Sequence, residues 1–241
     1  MSQSGDRHVV LTGAAGRIGT VVLNELASRW HIRATDRKPA GGIEALDVTD
    51  FEGCLAMFRG ADAVVHLAAD PDPSAEWSAL KGPNVDGAYT VATAARESGV
   101  RRLVLASSVQ AVSAYPQTRQ LRGEDAPRPA NLYGATKAWA EALGGWVAAS
   151  SRTSVVALRI GYFSERPPEG DKATPRNLSA WLSHGDCARL IRAAVESEHD
   201  GFVVVNGISA NRFRIAELGD AERQIGYAPI DDTWAATQGD E

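Results

Sequence analysis

Tyr133, Lys137 and Ser108 are the residues best suited to chemistry. Tyr133-Gly134-Ala135-Thr136-Lys137 is a Tyr-x-x-x-Lys pattern, and i, i+4 spacing puts both side chains on one helix face. A free phenol titrates near ~10. A neighbouring ammonium stabilises the phenolate and lowers that value, so Tyr133 is expected to serve as a general base. Ser108 ends an apolar run and can donate a hydrogen bond to the same substrate oxygen. A second set is Gly13-x-x-Gly16-x-x-Gly19, between an apolar run and an amphipathic segment. Its glycines permit a tight turn, a close approach to a pyrophosphate, and helix–strand packing. The pyrophosphate would sit at the helix N-terminus, where free N–H groups favour an anion. Asp36 follows Gly16 by 20 residues. A carboxylate there can accept from ribose hydroxyls and repels a 2′-phosphate, which favours NAD over NADP. Arg37, beside it, keeps NADP as the lesser alternative.

The elements that position these side chains follow from apolar spacing. Short apolar runs at 8–12, 32–35, 43–46, 63–69, 102–106, 155–160 and 202–205 read as strands. Helical spacing is expected at 18–26, 51–59, 84–98 and 133–149. A further helix is expected over 187–195, behind a Ser183-x-x-Asp186 capping box. The Pro-rich stretch 116–129 reads as a loop. Strand and helix alternate, which implies an α/β fold with a doubly wound parallel sheet and right-handed crossovers. Ligands then bind at the C-terminal strand ends, where every motif above falls. Residues 1–241 are expected to form a single domain, with about 161–200 and 206–241 as a small C-terminal substrate-binding portion.

Lys and Arg number 25 against 30 Asp and Glu, so 25 − 30 gives a net charge of −5, which excludes a basic nucleic-acid-binding face. An apolar content of 44 % excludes a disordered chain. No run of about 18 apolar residues occurs, so no membrane span is expected. Met1–Asp6 is polar, with no signal peptide, and 237–241 reads as a frayed tail. Cys54 and Cys187 are too few for a disulfide framework. The five histidines lack metal-ligand spacing. A cytoplasmic, metal-free protein is the expectation.

The combination of Gly13-x-x-Gly16-x-x-Gly19, Asp36, Asp47-Val48, His66-Leu67-Ala68-Ala69, Asn84-Val85-x-Gly87, Ser107-Ser108 and Tyr133-x-x-x-Lys137 resembles the extended short-chain dehydrogenase/reductase family, also called the NAD-dependent epimerase/dehydratase family, over about residues 8–235. The resemblance implies a Rossmann-type fold that binds NAD, with Tyr133 as acid/base, Lys137 on the nicotinamide ribose and Ser108 polarising the substrate oxygen. It also implies that Asp47 and Val48 lie against the adenine and that Leu67, Ala68 and Ala69 line the dinucleotide. Ile18 would meet the pyrophosphate by its backbone, and Asn84 would hold the helix beneath the active site. Arg17, Arg37, Ser107 and Ile160 complete the expected cofactor set.

Within that family, Leu158-Arg159-Ile160-Gly161, Arg176-Asn177-Leu178-Ser179-x-Trp181-x-Ser183-His184-x-Asp186 and Gly207-x-Ser209-Ala210-Asn211 are similar to the uronate dehydrogenase branch. Those enzymes oxidise C1 of a hexuronate with NAD to an aldarolactone. The similarity implies that Arg176 grips the substrate carboxylate, which suits the bidentate fork of a guanidinium. Val109-Gln110 stands where that branch carries Asn-His, and Tyr162 where it carries a small Ser. The expected substrate set is therefore Ser108, Val109, Gln110, Tyr162 and Arg176, in a less polar and smaller pocket around a sugar or sugar acid.

Two other functions compete. A sugar-nucleotide epimerase or dehydratase uses the same Tyr and Lys with tightly held NAD, but needs more than the roughly 80 residues that follow Ile160. A non-catalytic NAD-binding sensor would have no use for Ser108, Tyr133 and Lys137 together. A homodimer is expected from Ala138, Trp139, Ala142, Leu143 and Trp146 on one helix; the alternative is that the tryptophans pack on their own sheet.

Overall fold

The apolar runs form strands whose side chains alternate between the two faces of one sheet. In the computed structural model, which describes residues 7–238, these are β1 (His8–Thr12), β2 (His31–Asp36), β3 (Glu44–Ala45), β4 (Ala63–His66), β5 (Arg102–Ser108) and β6 (Ser154–Ile160). A separate pair, β7 (Tyr162–Phe163) and β8 (Trp181–Leu182), follows, and β9 (Phe202–Gly207) returns to the main sheet. The main sheet is parallel throughout, in the order β3-β2-β1-β4-β5-β6-β9. This is the doubly wound arrangement expected from the alternation of elements. The expectations for Met1–Asp6 and for the tail beyond Gln238 fall outside the described residues.

Helices cover both faces. α1 (Arg17–Leu26), α7 (His184–Glu196) and α8 (Gly219–Ile225) pack on Val9, Leu11, Val65, Val104 and Val156. α2 (Phe51–Phe58), α4 (Gly87–Ser98) and α5 (Leu132–Ser150) pack on Val10, Val64, Leu103, Leu105 and Val155. Odd and even positions of one strand thus feed opposite cores, which explains why the strands read as unbroken apolar runs. Shorter helices α3 (Trp77–Leu80), α6 (Pro175–Ser179) and α9 (Thr233–Gln238) complete the chain. Among the described residues, no helix is long and apolar enough to cross a membrane.

Three boundaries differ from expectation, each for a physical reason. The strand expected over 63–69 ends at His66: on one side its partner β1 ends at Thr12 after the Leu67 N–H···O=C Thr12 bond, and on the other its pairing with β5 stops at Leu105. The helix expected over 84–98 begins at Trp77 and passes through a wide π turn at Lys81–Asp86. Pro83 has no N–H to give the helical ladder, and Gly87 bonds to the Gly82 carbonyl five residues back. In the expected capping box, Ser183 does accept the Asp186 N–H. The Asp186 carboxylate, however, accepts the N–H groups of Ile230 and Asp231 and pairs with Arg189, so it fastens the C-terminal segment instead. The elements β7, β8, α3, α6, α8 and α9 were not foreseen, being too short to carry a period.

Candidate active site

The C-terminal ends of β1, β4, β5 and β6 open on a cavity of about 360 Å³. Asn131 starts α5 by accepting the Gly134 N–H on Oδ1 at 2.7 Å. Tyr133 and Lys137 follow in its first turns, and both line the cavity. Gly134 lets this turn rest on the Gln110 carbonyl, where a Cβ would collide with backbone. Ser108 ends β5 opposite Ile160 of β6, and its Oγ accepts the Gln110 N–H at 3.1 Å. Strand end and helix start thereby bring Ser108, Tyr133 and Lys137 together, all three under a tenth exposed.

Burial dominates the electrostatics here. It pushes the Tyr133 phenol up to about 12, with the Ser108 hydrogen bond acting in the opposite direction. It pulls the Lys137 ammonium down to about 8. Lys137 Nζ donates to the Ala106 carbonyl at 3.0 Å and lies 5.5 Å from the Tyr133 ring centre. The lowering expected from Lys137 is therefore not what sets the Tyr133 value in this structure: burial raises it, and the opposing contribution comes from Ser108. His66 is fully enclosed, is lowered to about 3 and bonds to Thr12 Oγ1 through Nδ1, so it stays neutral and offers no rival acid–base group. A base at Tyr133 must lose its proton, so oxidation should accelerate as pH rises. Replacing Lys137 with Met removes the cation that favours phenolate. We expect the rise of kcat/KM to move up by about one pH unit or more; an unmoved profile would remove Lys137 from this role.

The glycine loop meets the requirements of a dinucleotide. Gly13 has φ +72°, and a Cβ on it would stand 2.6 Å from the Ala68 nitrogen. Gly16 caps α1 with no side-chain bond, so the first N–H groups of this ten-residue helix face the cavity mouth. Gly13, Gly16, Arg17, Ile18 and Gly19 line the cavity with Leu67 and Ala69. Asp36 accepts the N–H groups of Ala15 and Lys38, which holds its carboxylate against this loop. Among the described residues, no group of His, Cys, Asp and Glu is arranged to hold a metal ion.

The opposite wall carries Val109, Gln110, Tyr162 and Arg176. α6 starts at a Thr174 cap with Pro175 in its first turn and delivers Arg176 to this wall. Arg176 Nη2 is buried with no hydrogen-bond partner, and burial lowers the guanidinium's pKa. A buried donor without an acceptor is costly.

Not every expected residue lies in the cavity. Asn84 donates to the Asp70 carbonyl and to Thr136 Oγ1 and accepts the Asp70 N–H, so its amide is spent on tying the β4 loop to α5. Ser107 borders the cavity, but its hydroxyl donates to Glu141. Asp47 binds Thr49, and with Arg37 it lines a separate depression of about 510 Å³. Val48 is buried under α2 and α4, and Ala68 backs Gly13 from behind. Residues that were missed include Phe163, whose carbonyl accepts Arg17 Nη2 at 2.6 Å across the cavity and whose ring stacks on His184. Asn177 was also missed as a lining residue. An Asn before Leu132-Tyr133 was a readable capping signal for Asn131; nothing in the sequence marked Phe163.

Beneath the site, Glu141 receives Ser107 Oγ at 2.6 Å and Arg159 Nε and Nη2 at 2.8 Å. Arg159 also donates to the carbonyls of Arg122, Gly123 and Asp125. One buried pair therefore joins α5, β5, β6 and the 113–131 loop. Removing one partner leaves the other charge unpaired inside the protein. Glu141→Ala should lower unfolding free energy by about 3–5 kcal/mol, read from urea midpoints; a loss near ~0.5 kcal/mol, a surface-substitution value, would contradict this account.

Comparison with known proteins adds an independent line. A family model described as the NAD dependent epimerase/dehydratase family matches residues 9–184. The NAD-dependent glucose-6-phosphate dehydrogenase of Haloferax volcanii is 34 % identical over 95 % of this chain and 95 % of its own length. The L-arabinose 1-dehydrogenase (NAD(P)(+)) of the same organism is 35 % identical over 93 % of this chain and 97 % of its own. Among solved structures, uronate dehydrogenase from Agrobacterium tumefaciens, as a tyrosine-to-alanine mutant complexed with NAD, superposes with a TM-score of 0.86. It shares 31 % identity and covers 96 % of this chain and 87 % of its own.

Proposed function

The chain belongs to the NAD-dependent epimerase/dehydratase family, and on that premise we propose that it oxidises the anomeric C1 hydroxyl of a sugar acid. It is an NAD-dependent oxidoreductase of the extended short-chain dehydrogenase/reductase type. The observation that carries the substrate class is Arg176: a half-buried guanidinium whose Nη2 is buried and unpartnered, in the same cavity as Ser108 and Tyr133. An anionic substituent on the sugar would satisfy it.

The residues have complementary tasks. The α1 N-terminus and Gly13, Gly16 and Ile18 would hold the pyrophosphate, and Asp36 the adenosine ribose hydroxyls. Bound NAD supplies the hydride acceptor at the nicotinamide ring. Tyr133 takes the hydroxyl proton on its phenolic oxygen as the C1–H bond gives up its electron pair. Ser108 donates to the oxygen as carbonyl character develops, an electrostatic contribution. Lys137 favours the phenolate and would hold the nicotinamide ribose.

Arg17 donates to the Phe163 carbonyl and Lys137 to the Ala106 carbonyl, whereas Arg176 Nη2 has no partner, so Arg176 is the cavity cation we assign to the substrate carboxylate. The test is NADH formation at 340 nm with galacturonate, glucuronate, glucose 6-phosphate, glucose, galactose and L-arabinose. Turnover of the uronates above the others supports the proposal. Turnover confined to neutral or phosphorylated sugars would overturn the assignment of Arg176 to a carboxylate.

The proposal extends to a homodimer in the cytoplasm. Tyr89 on α4 and Trp139 and Trp146 on α5 are 52 %, 40 % and 39 % exposed, and so remain available to a second copy. A monomer mass at micromolar concentration would refute the dimer.

A further inference from the structure

The amide of Gln110 is held in one orientation by a chain of bonds that begins at a backbone N–H. Asn131 Oδ1 accepts the Gly134 N–H as the cap of α5. A backbone N–H can only donate, so the oxygen of Asn131 must face the helix and Nδ2 must face away. Nδ2 donates to Gln110 Oε1 at 3.0 Å. That bond fixes the second amide in turn: Gln110 turns its oxygen to Asn131 and keeps Nε2 for the cavity it lines. The backbone around it is equally constrained, since the Gln110 N–H is held by Ser108 Oγ and its carbonyl lies against Gly134.

We propose that Gln110 is a specificity-determining residue that offers the substrate a donor and no acceptor, and that Asn131 sets this direction through the α5 cap. The proposal rests on the reading of the cavity as a sugar-acid site. Donor-only recognition demands an oxygen with a free lone pair on the sugar: a hydroxyl, the ring oxygen or a carboxylate oxygen. An amino-sugar acid that presents an ammonium at that position is rejected, because the ammonium has nothing to accept with. A site whose polar group is left unpaired discriminates more strongly than one that merely fits a shape.

The test uses Asn131→Asp, Gln110→Ala and the double variant of the full chain, with galacturonate and NAD. Asp caps a helix as well as Asn does but cannot donate to Gln110. The Gln110 amide then turns, gives Nε2 to the introduced carboxylate and shows its oxygen to the substrate. Asn131→Asp is expected to raise KM for galacturonate about tenfold, the effect of one lost hydrogen bond, with KM for NAD unchanged. The double variant should be no worse than Gln110→Ala alone. A full Asn131→Asp effect without Gln110, or no change in KM, would overturn the proposal. A second readout needs no turnover: the side-chain NH₂ resonance of Gln110 in glutamine-labelled protein with NAD, identified by its loss in Gln110→Ala. Its exchange with water should slow in Asn131→Asp; unchanged exchange would overturn the proposal even if galacturonate is not a substrate.

Discussion

Tyr133→Phe should lower kcat by about 10²- to 10⁴-fold, the range of a lost general acid–base group, while NAD still binds. The substitution removes one oxygen from a side chain that is 9 % exposed and packed at the start of α5. Its ring remains, so the cavity wall and the glycine loop are undisturbed. The Ser108 hydroxyl loses a neighbour but keeps the Gln110 N–H. NADH formation measures the loss, and an NAD titration by calorimetry shows that binding survives. A kcat within about tenfold of the unaltered protein would mean that another group moves the proton. His66 is a poor candidate for that role, since it is enclosed and held neutral.

Arg176→Met should raise KM for a uronate by about 30- to 4,000-fold, the consequence of removing one partner from a hydrogen-bonded charge pair at about 2–5 kcal/mol. Turnover of a neutral sugar should change far less. The same substitution should leave the free protein equally or more stable, because Nη2 is a buried donor with no partner. Function and stability thus pull in opposite directions at this residue. Uronate KM values and urea midpoints read the two effects separately. A stability loss with unchanged uronate KM would make Arg176 a structural residue.

The sheet and the catalytic pair were legible because their signals are local. Apolar runs ending in glycine, Asp or Ser place β1, β2 and β5, and one helical turn places Lys137 beside Tyr133. What was not legible depends on partners distant in sequence. Arg159 and Glu141 read as ordinary strand and helix residues until the fold buries both charges against Ser107. Asp186 read as half of a capping box because its second partners, Ile230 and Asp231, come more than forty residues later. Asn84 carried a family signal, and the structure turns its amide to the β4 loop and α5. The direction of the Tyr133 shift was missed for a similar reason, since spacing reveals the nearby ammonium but not the burial that raises the phenol.

The central claim is that the hydrogen on C1 of a sugar acid passes as hydride to the cofactor held at the glycine loop. Galacturonate deuterated at C1, incubated with this protein and NAD, tests it directly. Mass analysis should find one deuterium in the reduced cofactor and the oxidised sugar as product. Reduced cofactor without deuterium, or no reduction while NAD is bound, would contradict the account.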